Sequence, residues 1–130
     1  MNSATLPTLR EWNLELSVQA DEPDFLQVQC AGNVSLPDFR PANDPLAKLL
    51  GPQVYSRRVL LDMEKADYLD TSGVSWLISC REQCHQAGGV LVLYAVPLRV
   101  LYVLQLLRME HLLHTAADLA AARAIASKGG

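Results

Sequence analysis

Val59-Leu60-Leu61-Asp62, followed after a short interval by Tyr68-Leu69-Asp70-Thr71-Ser72-Gly73, is the stretch on which the reading of this chain turns. Three consecutive apolar residues with no polar alternation are the mark of a strand covered on both faces. Asp70, Thr71 and Ser72 then supply side-chain oxygens of the kind that accept hydrogen bonds from the free amides of a helix's first turn. A carboxylate there also meets the positive end of the helix dipole. Downstream, Gly73, Val74, Leu77, Ile78, Cys80 and Cys84 share one broad helical face with Arg81, and Trp76 stands at its border. Ser75, Ser79, Glu82, Gln83 and Gln86 fill the other face, which makes an amphipathic helix ended by Gly88-Gly89.

Working outward, Leu14, Leu16 and Val18 alternate with polar residues as in a half-buried strand. Asp21-Glu22-Pro23-Asp24 is turn chemistry, and Phe25, Leu26, Val28 and Cys30 form a second strand ending near Gly32, so the two predict a hairpin. Residues 35 to 43, with Pro37 and Pro41, read as irregular loop. Asp44-Pro45 resembles an N-cap and first helical position for a short helix, Leu46 to Leu50, closed by Gly51-Pro52. Val90 to Val96 predicts a central strand, and Pro97 starts a helix running to about Arg108. Leu112-Leu113 is the candidate last strand, and Thr115 with Asp118 the capping pair of an alanine-rich terminal helix. The order ββαβαβαβα implies one α/β domain with a mixed, partly parallel sheet. Its core is expected over about residues 12–126, with residues 1–10 and 127–130 frayed.

Composition removes several functions. The chain has 130 residues, half of them apolar, and a formal net charge of −3, with Arg57-Arg58 its one basic pair. That balance argues against a nucleic-acid backbone as partner. No apolar run approaches the ~20 residues of a membrane span, and Met1 to Arg10 lacks the pattern of a signal peptide, so the cytosol is the expected compartment. Cys30, Cys80 and Cys84 show no disulfide framework. Cys80, Cys84 and His85 raise the question of a metal, but small core residues are the favoured reading of the cysteines and no metal site is assigned. Neither a Gly-x-Ser-x-Gly elbow nor a phosphate-binding Gly-rich loop before a lysine is present. Asp62 and Asp70 read better as strand-end residues than as a catalytic pair, so no catalytic residue and no cofactor is expected.

The strand, the Asp70-Thr71-Ser72-Gly73 corner, the helix ended by Gly88-Gly89 and the following strand with Pro97 together resemble the STAS domain family, in its bacterial anti-sigma factor antagonist type. The resemblance spans roughly Phe25 to Ala124 and is densest from Val59 to Pro97. It implies a partner-switching cycle. The unmodified domain binds an anti-sigma factor that is also a serine/threonine kinase and so frees a sigma factor. Phosphorylation ends that binding, and a phosphatase restores it. The hydroxyl after the aspartate is the family's phospho-acceptor, here Thr71, with Ser72 the second choice and a helix cap in its own right. Partner contacts are expected at Asp70, Thr71, Ser72, Gly73, Val74 and Ser35. At Ser35 the chain departs from the family's Gly-x-x-Asp, since Gly32-Asn33-Val34-Ser35 ends in a hydroxyl, and Asp38 is the loop's candidate substitute.

The alternative within the same fold is a scaffold subunit of a stress-signalling assembly, or a small cytoplasmic subunit of a lipid or anion transporter. The helix after Pro97 is apolar on nearly every side, interrupted by Arg99, Gln105 and Arg108. Such an excess over one core-facing stripe predicts either burial under the terminal helix or a contact surface, including a homodimer through this helix.

Overall fold

The computed structural model describes residues 6–128, and among them the chain forms seven strands and four helices. In order these are β1 (Thr8–Glu11), β2 (Leu14–Asp21), β3 (Leu26–Val34), α1 (Pro45–Leu50), β4 (Arg58–Asp62), β5 (Ala66–Leu69), α2 (Thr71–Ala87), β6 (Val90–Tyr94), α3 (Leu98–Leu106), β7 (His114–Ala116) and α4 (Leu119–Ser127). The sheet runs β1-β2-β3-β4-β6-β7. Its β1-β2-β3 part is antiparallel and its β3-β4-β6-β7 part parallel, the mixed α/β arrangement expected. Parallel neighbours need a crossover, and α2 and α3 supply those between β4, β6 and β7.

Burial on both faces explains the unbroken apolar strands. Val59 and Leu61 of β4, with Leu91 and Leu93 of β6, belong to the core that α2 closes. Leu60, Val90, Val92 and Tyr94 face the other way, against Ala122 and Ala126 of α4. The alanines of α4 let its backbone lie close to the sheet, and the Arg123 guanidinium sits 5.3 Å from the centre of the Phe25 ring. The β2–β3 hairpin is tied to the start of β4 by Arg57, whose guanidinium donates to Asp21 at 2.7 Å and to the Glu22 carbonyl at 2.6 Å.

Several elements differ from expectation for local reasons. Within residues 1–10, expected to fray, Thr8, Leu9 and Arg10 pair with β2 as part of β1, while residues 1–5 lie outside the described residues, as do 129–130 of the expected C-terminal fray. β5 lacks a pattern of its own. The Met63 amide turns to the Tyr94 carbonyl, 2.9 Å, and the chain then steps beside the far half of β3. Strand β6 stops at Tyr94, because Ala95 adopts a left-handed conformation with φ 55°. The last strand is His114–Ala116, not Leu112-Leu113: Leu112 ends a 3-10 turn and Leu113 drops into the core. Thr115 therefore lies on a strand and caps nothing, while Asp118 caps α4 by accepting from the Ala121 amide at 2.9 Å. Trp76, expected at the border of its helix, is fully buried.

The reason lies in Asp44, whose side chain is more than an N-cap. It is 2% exposed, the one buried charged residue among those described. One carboxylate oxygen accepts from the Leu46 amide at 3.0 Å and from the Trp76 indole N–H at 2.8 Å. The other accepts from the Tyr55 hydroxyl and, at 3.5 Å, from Gln83. Burial first, then Cys80 and the bond to Asp44, push the Tyr55 phenol far above its ordinary range, so it stays a donor. Asp44 thus joins α1, the 3-10 turn Pro52–Ser56 and the middle of α2. Asp44→Ala orphans three buried donors and should lower stability by about 3 kcal/mol or more in urea denaturation. A loss below about 1 kcal/mol would show that the network is not holding these elements.

Candidate functional site

The corner where β5 ends and α2 begins gathers around one carboxylate. β5 carries the chain to Asp70 alongside β3, with Leu69 paired to Val34. Asp70 is extended, with φ −121° and ψ −174°, and serves as the N-cap of α2. Its Oδ1 accepts from the Gly73 amide at 3.1 Å and from the Ser72 hydroxyl at 2.6 Å. Its Oδ2 accepts from the Ser35 hydroxyl at 2.5 Å. Ser72 in turn accepts from the Leu36 amide at 2.8 Å, which ties the loop after β3 to the head of the helix.

Burial alone would raise the Asp70 carboxyl's pKa. The hydrogen bonds from Ser35, Ser72 and the Gly73 amide outweigh it, and the group titrates below the usual carboxylate range. Among the described residues no cation forms an ion pair with Asp70. Neighbouring Asp67 is met by Arg99 at 3.4 Å, and the same guanidinium donates to the backbone carbonyls of Ala66 and Asp67 along the outer edge of β5.

Of the residues expected to form a site, Ser35, Asp70, Ser72 and Gly73 meet directly. Thr71 is the first residue of α2, exposed, and its hydroxyl has no hydrogen-bond partner among the described residues. Gly73 and Val74, expected both on the apolar face of the helix and among the partner contacts, are buried on that face. A side chain on Gly73 would collide with the Val34 carbonyl oxygen and come within 2.8 Å of Leu69 Cδ1, so this space belongs to the chain's own packing. Asp62 shares no partner with Asp70 and instead accepts from the Glu64 amide at 3.0 Å.

Beside the corner lies something the sequence pattern did not mark. Ser35 also lines an uncharged cleft of about 200 Å³ with Trp12, Asn13, Asn33, Pro37 and Tyr68. Trp12 and Tyr68 are both half-exposed. Trp12 is held with φ 53° at the tip of the β1–β2 hairpin, where the neighbouring Asn13 carbonyl accepts from the Asn33 amide at 2.9 Å. A lone aromatic in a polar stretch was the one available signal, and without its partner Tyr68 it carried no pattern.

The cysteines are core residues. Burial first, then the carboxylates of Asp62 and Asp44 respectively, push the Cys30 and Cys84 thiols up to about 12, and Cys80 likewise lies well above its ordinary value. No group of three His, Cys, Asp or Glu side chains is placed to hold a metal among the described residues. Nor is any described helix long and apolar enough to cross a membrane.

Two substitutions test this geometry. Gly→Ala inside a helix normally stabilises by up to ~1 kcal/mol. At Gly73 the sign should reverse, with Gly73→Ala costing about 1–3 kcal/mol by thermal or urea unfolding. A neutral or stabilising result would mean that the helix does not pack against Val34. Because the folded Asp70 carboxyl titrates below the unfolded one, it contributes stability at neutral pH that is lost as pH falls through its folded value. Ser35→Ala removes the largest lowering influence. It should therefore move the Asp70 titration, followed by carboxyl ¹³C NMR, to higher pH, and an unmoved titration contradicts the assignment.

A comparison with protein-family models matched the STAS domain over residues 2–122. A sequence comparison with curated proteins found no match. Among solved structures, an anti-sigma-factor antagonist (STAS) domain protein from Planctomyces limnophilus is similar with a TM-score of 0.59 at 14% identity, over 88% of this chain and 97% of that one. The anti-sigma factor antagonist SpoIIAA in its unphosphorylated form is similar with a TM-score of 0.61 at 11% identity, over 85% and 95%. The murine Solute Carrier 26 family member A9 anion transporter has a region of the same fold, with a TM-score of 0.64 at 12% identity, covering 84% of this chain and 18% of that one. At such identities these likenesses concern the fold, whereas the family match spans nearly the whole sequence, and by that match the chain belongs to the STAS domain family.

Proposed function

We propose that this chain is a partner-switching regulator whose state is set by a phosphoryl group on Thr71. The contrast between two adjacent hydroxyls carries the reading. Ser72 donates to Asp70 and accepts from Leu36, so it is committed to the fold, whereas Thr71 is exposed and unengaged. The unmodified corner docks on an anti-sigma factor that is also a serine/threonine kinase and thereby frees a sigma factor in the cytoplasm. In the kinase's active site the Thr71 oxygen attacks the γ-phosphorus of ATP. The new O–P bond forms as the bond to the ADP oxygen breaks, and the hydroxyl proton passes to the kinase's base. Hydrolysis by a phosphatase reverses the change. Catalysis and nucleotide belong to the partners, and this chain contributes the hydroxyl.

Electrostatics supplies the switch. A phosphate brings a charge of about −1.5 to −2 to a corner already holding ionised Asp70. No ion pair on Asp70 offsets it within the described chain. A partner packed against the same helix end meets that charge directly, where like charge and desolvation weaken binding by several kcal/mol. The likeness in fold to anti-sigma factor antagonists, one of them solved in an unphosphorylated form, supports this reading. A second reading, a scaffold or transporter subunit without phosphorylation, draws on the same fold within an anion transporter and on Ser35 standing where an acid is usual.

Incubation with the host's anti-sigma factor kinase and ATP, followed by mass-spectrometric mapping, separates the two. Thr71→Ala should lose all phosphate and Thr71→Glu should bind the kinase at least about tenfold more weakly. Ser72→Ala should keep the acceptor while losing about 1–2 kcal/mol of stability. Phosphate on Ser72, or none despite an active kinase, contradicts the first reading, and a stable complex with a transporter ATPase supports the second.

A further inference from the structure

We propose that Trp12 and Tyr68 anchor the partner that covers Thr71, and that this partner seats an uncharged, apolar side chain in the cleft between them. The partner's identity rests on the function proposed above. Trp12 is 50% and Tyr68 51% exposed, and both line the cleft that Ser35 shares with the Asp70 corner. Leu98, Tyr102 and Leu106 of α3 are exposed as well, since α4 lies on the opposite face of the sheet, but they stand apart from any site. Trp12 holds its place against its own conformational preference. The hairpin tip is Trp12-Asn13, between the paired residues Glu11 and Leu14. Of the two, Trp12 alone is left-handed, with φ 53°, and the first central position of such a turn ordinarily takes glycine. A bulky side chain with positive φ is strained and persists only where its surroundings hold it. Here the Asn33 amide donates to the Asn13 carbonyl at 2.9 Å, and Gly32 leaves that carbonyl room where a Cβ would collide with it. The fold thus presents an indole where glycine is the easier choice.

The occupant follows from distance, size and charge. Thr71 lies three residues beyond Tyr68, so their Cα atoms are at most ~11 Å apart. A standard interface covers about 800 Å² of each partner, a disc roughly 16 Å in radius. A partner centred on Thr71 therefore reaches Tyr68, and with it the cleft. At about 200 Å³ the cleft has room for one side chain and falls below the range of small-molecule sites. None of its lining residues carries a charge, so a charged group buried there would lose its water without gaining a counter-ion. The side-chain amides of Asn13 and Asn33 and the Tyr68 hydroxyl have no hydrogen-bond partner among the described residues. They remain free for the backbone groups that flank an incoming apolar side chain. Tryptophan and tyrosine are the residue types that most often carry the energy of an interface, because they offer large area at low conformational cost. The work is then divided: the uncharged cleft supplies affinity, and Thr71 supplies the control by charge.

The chain has two tryptophans, and Trp76 is fully buried, so 5-fluorotryptophan labelling gives one reporter at the cleft and one in the core. On titration with the unlabelled anti-sigma factor kinase of the host, the fluorine resonance of Trp12 should change its chemical shift while that of Trp76 stays in place. Trp12→Gly and Tyr68→Ser should each weaken the complex at least about tenfold, chiefly through faster dissociation. Trp12→Gly relieves the left-handed strain and should keep the melting temperature within a few degrees of wild type. Thr71→Glu, measured alongside, separates the two claims. If it loses binding while the cleft variants bind as wild type and the Trp12 resonance does not move, the anchors are overturned and the reading at Thr71 stands. If the cleft variants lose binding while Thr71→Glu binds as wild type, the anchors stand and the reading at Thr71 is overturned. A wild type that does not bind the kinase at all overturns both.

Discussion

The carboxylate of Asp70 is the junction on which this corner of the molecule depends. Three donors from two places in the chain converge on it: the Ser35 hydroxyl after β3, and the Ser72 hydroxyl and Gly73 amide in the first turn of α2. Their joint effect is mechanical as well as electrostatic. The end of β3 is fastened to the start of α2, and the two cannot separate without leaving polar groups unpaired. None of the three donors comes from Thr71, whose hydroxyl has no hydrogen-bond partner among the described residues. One hydroxyl is consumed by the fold and its neighbour is left exposed and unengaged, and the difference arises from geometry, since both are helix-capping residue types.

Asp44 has the corresponding role deeper in the molecule. Its network fixes α1 and the Tyr55 turn against α2, and so holds the helix in place. Burying a carboxylate among neutral donors is costly unless every lone pair finds a partner, and here indole, phenol and amide groups supply them. Gly73 completes the support, because only a residue without a side chain lets α2 approach the Val34 carbonyl so closely. The head of α2 is therefore held both by close packing and by hydrogen bonds, and in the function proposed for Thr71 added charge would act there by repulsion rather than by rearrangement.

Much of this was legible in the residues. The doubly covered strands, the hairpin, and α2 with its Gly88-Gly89 stop all carry strong local patterns, and they lie where expected. β1, β5 and β7 do not, since each is three or four residues long and owes its existence to a neighbour's free edge. Gly73 and Val74 lie on the apolar face of α2 that the periodicity marked, and their burial follows from it, whereas their part in partner contacts came only from the family resemblance. The link from Ser35 to Asp70 spans thirty-five positions, and no spacing rule anticipates it. The same holds for Trp12 and Tyr68, which meet only when the hairpin tip folds beside β5.

The claim at the centre of this account is that Asp70 holds Ser35 and Ser72 and leaves Thr71 free. Hydroxyl-proton NMR at low temperature examines it most directly, because an engaged hydroxyl exchanges slowly with water and a free one does not. The account predicts observable, protected hydroxyl protons on Ser35 and Ser72 and none on Thr71. A protected Thr71 hydroxyl beside a freely exchanging Ser72 would contradict it.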